Sequence, residues 1–183
     1  LQQLETAGAV WNAWDTTSIA GLGTNAYKWS GVTFAPITGK LYFCPDNADG
    51  VLVVDPMTNA SDTTTIAGFG TQTSKWIDVV YAPTTKKLYL SPYGADNVLV
   101  VDPMTNTSNT TAIAGFNVDV GGAKWWGGVF APTTQKLYFT PFDADNVLIV
   151  DPLTNMSDTT AIAGFGNESG KWAGVVFAPT TGK

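Results

Sequence analysis

Four Lys-Trp dipeptides punctuate the chain, at Lys28-Trp29, Lys75-Trp76, Lys124-Trp125 and Lys171-Trp172, and Asp49, Asp96 and Asp145 follow the first three at a constant offset. An indole offers an apolar face and one N–H, a carboxylate accepts hydrogen bonds, and an ammonium donates them. Such a set suits a sugar, which has a C–H face to stack and hydroxyls to pair. Its repetition would add avidity to weak sites. The same residues admit a packing reading, in which each indole wedges between structural units and each lysine pairs with a loop aspartate. Trp126, doubled beside Trp125 in one unit only, is the better candidate for something specific.

Other chemistries fit less well. "PDNADG" gathers Asp46, Asn47 and Asp49, three oxygen ligands, but calcium takes six to eight, and the corresponding "PYGADN" keeps only Asp96. A hairpin turn accounts for both, so no metal and no cofactor are expected. Histidine and arginine are absent, and the nine basic residues are all lysines. That removes Ser-His and Cys-His pairs and an arginine clamp on a carboxylate. Two carboxylates could hydrolyse a glycoside, but the candidates sit at repeated positions instead of forming one asymmetric pair. The expectation is a protein that is not an enzyme.

The net charge of −6 argues against nucleic acid, whose phosphates call for a basic surface. The apolar runs are far shorter than the roughly 20 residues of a membrane-spanning helix, so no membrane insertion is expected. Cys44 is the single cysteine and forms no internal disulfide. Asn59, Asn106, Asn109, Asn155 and Asn167 each open an N-x-S/T sequon, three of them in one repeated turn. This tilts the reading toward an extracellular or cell-surface glycoprotein.

The elements that position these residues repeat as well. The Lys-Trp dipeptides recur every 47 to 49 residues, a period typical of propellers and solenoids. Within each period four β-type runs alternate with turns; in the third they are "GGVFAP", "KLYFT", "NVLIVDP" and "TTAIAGF". Gly39 and Gly182 suit the positive φ of a tight hairpin, and Lys86 and Gln135 stand in that place in the other units. Asn59, Asn106 and Asn155, in "DPMTN" and "DPLTN", suit a left-handed conformation. Apolar residues nowhere follow a helical period for three turns. Four-stranded antiparallel meanders of this length, stacked radially, make an all-β propeller.

The stretch "KLYFTPFDADNVLIVDPLTN" resembles the YVTN-type β-propeller repeat: a strand, a short polar hairpin, a Val-Ile-Asp strand, and a turn ending Thr-Asn. The resemblance covers three full units and the first strand of a fourth. It implies the fold and leaves function open, and the Lys-Trp and "TTxIAGF" elements depart from it. The chain thus reads as a single array, 1–183, with units 28–74, 75–123 and 124–170 and partial units 1–27 and 171–183. Two arrangements stay open: "LQQLETAGAVWNAW" closes a four-bladed ring, with Trp11 and Trp14 in the seam, or the chain is a segment of a longer array, which is favoured.

The first strand of each unit is expected to be the most buried, through Val32, Phe34, Val79, Tyr81, Val129, Phe130, Val175 and Phe177. Leu52, Val54, Leu99, Val101, Leu148 and Val150 of the third strands complete the expected core, and the threonine pairs are placed on the outermost strand. The functional expectation is a non-catalytic interaction or structural scaffold in a larger extracellular or surface assembly. Its partners would be proteins, glycans, or further blades of the same or another chain. The alternative is a multivalent lectin using the Trp and Asp face.

Overall fold

The structure is a computed structural model that describes residues 19–116 and 122–182. The closing-seam residues Trp11 and Trp14 lie outside them. Among the described residues there is no helix, and the strands form three four-stranded antiparallel sheets. The first comprises β1 (Trp29–Ala35), β2 (Lys40–Pro45), β3 (Leu52–Val54) and β4 (Ser61–Asp62). The second comprises β5 (Trp76–Ala82), β6 (Lys87–Pro92), β7 (Leu99–Asp102) and β8 (Thr107–Asn109). The third comprises β9 (Trp125–Ala131), β10 (Lys136–Pro141), β11 (Leu148–Asp151) and β12 (Met156–Asp158). Each is a meander in chain order, and β1 packs against β5 and β5 against β9, so the sheets stack as the blades of a propeller.

The turns have the expected chemistry. Gly39 and Gly182 adopt φ +68°, and Lys86 and Gln135 are held at +59° in the same place. Asn59, Asn106 and Asn155 have φ between +55° and +58°. Asp55, Asp102 and Asp151 open those turns by accepting the N–H two residues on, at 2.9–3.0 Å. The left-handed conformation costs a side-chain-bearing residue roughly 1–2 kcal/mol, against roughly 0.5–1 kcal/mol of extra chain entropy for glycine. Lys86→Gly should therefore raise stability by about 0.5 kcal/mol. A denaturation midpoint that fell instead would show that the lysine side chain contributes more than its backbone strain costs.

The fourth strand is not where the β-type run predicted it. The ladder residues are Ser61–Asp62, Thr107–Asn109 and Met156–Asp158, immediately after the Asn turn. The chain then breaks, because Asp62, Asn109 and Asp158 accept the backbone N–H groups two and three residues on, at 2.7–3.1 Å. The Thr65 hydroxyl, together with the Thr64 and Thr65 N–H groups, holds the Asp62 carboxyl at about 2, below the usual carboxylate range. The threonine pairs thus lie in a turn instead of on the outermost strand. The run returns to the sheet at Ile66 and Ile113, whose carbonyls accept from Val51 and Val98.

The core expectation needs correction at the inner strands. Leu52, Val54, Leu99, Val101, Leu148, Val150 and Val79 are buried as expected, whereas Tyr81, Val129, Phe130 and Phe177 are half-buried. Val32 and Phe34 are 49% and 48% exposed, because β1 has a sheet on one side only among the described residues. Val175 is 43% exposed: residues 172–178 run beside β9 without strand pairing, Gly127 approaching Gly174. The most buried strands are instead the second and third of the middle blade, which is covered on both faces.

Two devices fasten blade to blade. Tyr89, buried, donates to the carbonyl of Pro152 at 3.1 Å, and Tyr42 to that of Pro103 at 3.5 Å. The Asp-Pro turn of one blade is thus an anchor for the blade before it. At the inner strands Gly128 lets β9 come close; a Cβ there would stand 2.7 Å from both Phe139 and Val80.

Candidate functional site

The loops entering each inner strand meet the loops between second and third strands on one face of the array. The Lys-Trp dipeptides and the Ala-Asp segments come together there. The indole N–H of Trp29, Trp76 and Trp125 donates at 2.8 Å to the carbonyl of Gly50, Asn97 and Asn146. Phe69, Phe116 and Phe165 meet Trp76, Trp125 and Trp172 edge-on at 5.3–5.5 Å. Trp76 and Trp125 are only 4% and 3% exposed, so their faces are spent on packing and a sugar ring reaches neither. Trp29 is half-buried and Trp172 is 48% exposed.

The aspartates hold the adjoining loops. The carbonyls of Asp49, Asp96 and Asp145 accept from the N–H of Phe69, Phe116 and Phe165 at 3.0–3.2 Å. The Asp49 carboxylate also accepts from Gly68 and Gly70, and that of Asp145 from Gly166. The expected lysine–aspartate pairing takes another form. Lys75, 7% exposed, donates to the carbonyls of Asp46 and Gln72 at 3.0 and 2.9 Å, and Lys171 to that of Glu168 at 2.7 Å. Burial lowers the Lys75 ammonium, opposed by the charges of Asp46 and Asp49. Lys28 lies 4.7 Å over the Trp29 ring.

Two of the three oxygen-bearing side chains of "PDNADG" are likewise committed to the protein, while Asp46 Oδ1 is buried without a hydrogen-bond partner. Asn47 accepts from the Ser74 N–H at 2.8 Å, and Asp49 holds its two glycines. Asp46 is 6% exposed, and burial raises its carboxyl against the pull of the Ser74 N–H and Lys75. No group of three or more acidic or cysteine side chains converges as a metal site among the described residues.

The inner strands carry a bulge at which two residues oppose one on the neighbouring strand: Ser30-Gly31, Ile77-Asp78 and Trp126-Gly127. Trp126 projects from this bulge into a trio with Tyr93, 5.3 Å away and perpendicular, and Phe142, 4.9 Å away. Asp78 occupies the bulge position that is Gly31 and Gly127 elsewhere, and its carboxylate accepts from the Gly128 N–H at 3.0 Å. Burial pushes that carboxyl up, against the N–H groups of Val79 and Gly128. Tyr93, Phe142 and Asp78 were missed because the sequence reading followed what repeats. Aligning the units and looking for departures finds them.

The sequon residues Asn59, Asn106, Asn109, Asn155 and Asn167 are all exposed. On Asn109 the side-chain oxygen accepts from the Thr111 and Ala112 N–H groups of the turn.

No family model matches the chain, and no curated protein is similar to it in sequence. Solved structures share its fold. A chain of the nidogen/laminin complex is 14% identical with a TM-score of 0.59, over 84% of this chain and 54% of that one. An auxiliary nutrient binding protein from Bacteroides thetaiotaomicron is 14% identical with a TM-score of 0.56, over 83% and 34%. A catalytically inactive virginiamycin B lyase from Staphylococcus aureus, solved with quinupristin, is 10% identical with a TM-score of 0.53, over 78% and 45%. The chain spans about half or less of the length of each. The likeness establishes the β-propeller fold, and that fold serves complex formation, nutrient binding and lyase chemistry alike.

Proposed function

We propose that the chain is a non-catalytic β-propeller that acts as an interaction scaffold in an extracellular or cell-surface assembly. The observation that carries this reading is how the repeated polar residues are used. Asp49, Asp145, Asn47 and Lys75 are bound to backbone groups of neighbouring loops, which makes them braces of a rigid face rather than free acids, bases or nucleophiles. A chain without histidine or arginine has few other groups for the purpose. Five exposed sequon asparagines agree with a surface setting. The nutrient binding protein and the nidogen/laminin complex among the similar folds support this reading.

The test is a turnover screen of the purified chain together with cross-linking at the surface of the producing cell. Recovery of a defined protein partner, with no turnover on hydrolase or lyase substrates, is the expected result. Turnover that disappears in Asp78→Asn would overturn the reading, since Asp78 is the half-buried carboxylate that breaks the repeat on an inner strand.

A further inference from the structure

We propose that the face beside Trp29 is a binding site for a neutral carbohydrate, opened by a single departure from the repeat. In three units the loop before the Lys-Trp dipeptide reads Gly-Phe, and the phenyl ring stands edge-on against the tryptophan. In the unit ending at Trp29 the loop reads Gly21-Leu22-Gly23. Its glycines are left-handed as in the other units: Gly21 and Gly23 have φ +76° and +73°, beside +96° and +73° for Gly68 and Gly70. The left-handed glycines are kept and the phenyl ring is missing. A cavity of about 540 Å³ lies at this position, lined by Leu22 and Trp29 among others. That falls within the roughly 300–1,000 Å³ of small-ligand pockets.

The lining identifies the ligand class. Leu22 and the Trp29 indole supply an apolar surface, while Asn25, Thr63, Thr71 and Thr73 supply amides and hydroxyls. The charged lining residues are Lys28 and Asp49, one of each sign, and the Asp49 carboxylate is already held by Gly68 and Gly70. The pocket is therefore amphipathic and electrically balanced within a chain of net charge −6. An anionic sugar would be repelled by the chain, and a purely apolar ligand would strand the amides and hydroxyls without partners. A saccharide ring without charge meets both surfaces. The Trp29 N–H is spent on the Gly50 carbonyl, so the indole contributes stacking area and not a donor.

This site is one pocket, distinct from a ring of equivalent indoles, and it extends the scaffold reading without depending on it. Turnover by the chain would remove that reading and leave the pocket in place. The experiment is an array of neutral and acidic oligosaccharides probed with the whole chain, followed by calorimetric titration of the best neutral saccharide into the wild type and Leu22→Phe. Phenylalanine at 22 restores the ring that the other units carry, so it should fill the pocket and keep the thermal transition. The expected result is binding to neutral saccharides that weakens at least tenfold in Leu22→Phe. Three outcomes would each overturn the proposal: no neutral saccharide bound, unchanged affinity in Leu22→Phe, or unfolding of Leu22→Phe, which would show that the space is not that of a missing ring.

Discussion

Val101→Asp is expected to remove most of the stability of the chain. Val101 is fully buried in β7, opposite Leu88 of β6, in the cluster that blades one and two share through Tyr42, Val53 and Leu90. The carboxylate would have no cation beside it in that cluster, and the Tyr42 hydroxyl is already bonded to the Pro103 carbonyl, so it would lose its hydration or stay protonated at the cost of a raised pKa. Uncompensated buried charges cost about 3–5 kcal/mol, a large part of the roughly 5–15 kcal/mol that holds a domain together. The control is Val176→Asp, at a side chain that is 82% exposed, where a change of less than about 0.5 kcal/mol is expected. Urea denaturation followed by circular dichroism measures both. A Val101→Asp protein with the wild-type midpoint would mean that blades one and two do not close over Val101 as described.

Most of the fold was legible because it rests on local rules. The period, the hairpin residues Gly39 and Lys86, and the left-handed Asn59, Asn106 and Asn155 follow from backbone sterics, which a sequence displays directly. The fourth strand was misplaced because "TTAIAGF" has strand propensity. The aspartate or asparagine immediately before the run captures the backbone N–H groups two and three residues on, which a ladder would need, and that local competition outweighs propensity. Val32 and Phe34 were misjudged for a different reason. Alternation shows which face of a strand is apolar, but not whether another sheet lies on it, and that depends on the neighbours of each blade.

The candidate site was legible as a location and not as a mechanism. Repetition located the Trp and Asp residues on one face. It was silent on whether they are offered to a ligand, since packing and recognition both preserve a residue in every unit. The informative positions are those where the units differ: Leu22 for phenylalanine, Asp78 for glycine, Trp126 beside Trp125. There the shared packing problem no longer explains the side chain.

Trp125→Ala tests the division between packing and recognition. The indole is 3% exposed, its N–H is 2.8 Å from the Asn146 carbonyl, and Phe116 stands 5.3 Å from its centre. Truncation empties a volume that the flanking blades cannot readily close, strips the Phe116 ring of its partner and leaves a carbonyl without its donor. Large aromatic-to-alanine changes in such settings cost about 3–5 kcal/mol. Trp172 belongs to the same dipeptide and meets Phe165 in the same way, yet it is 48% exposed, so Trp172→Ala should cost only about 1–2 kcal/mol. The pair separates sequence position from environment, because the two residues occupy the same place in the repeat and differ in strand pairing and in what covers them. Denaturation midpoints of the two variants should therefore differ clearly. Equal midpoints close to the wild type would mean that the Trp125 indole is no wedge between blades and would return it to the face as a surface for ligands. The expected loss at Trp125 also means that tryptophan truncation cannot report on binding at Trp76 or Trp125, where the fold would fail first. Binding has to be probed beside Trp29, where Leu22→Phe alters the pocket and spares the core.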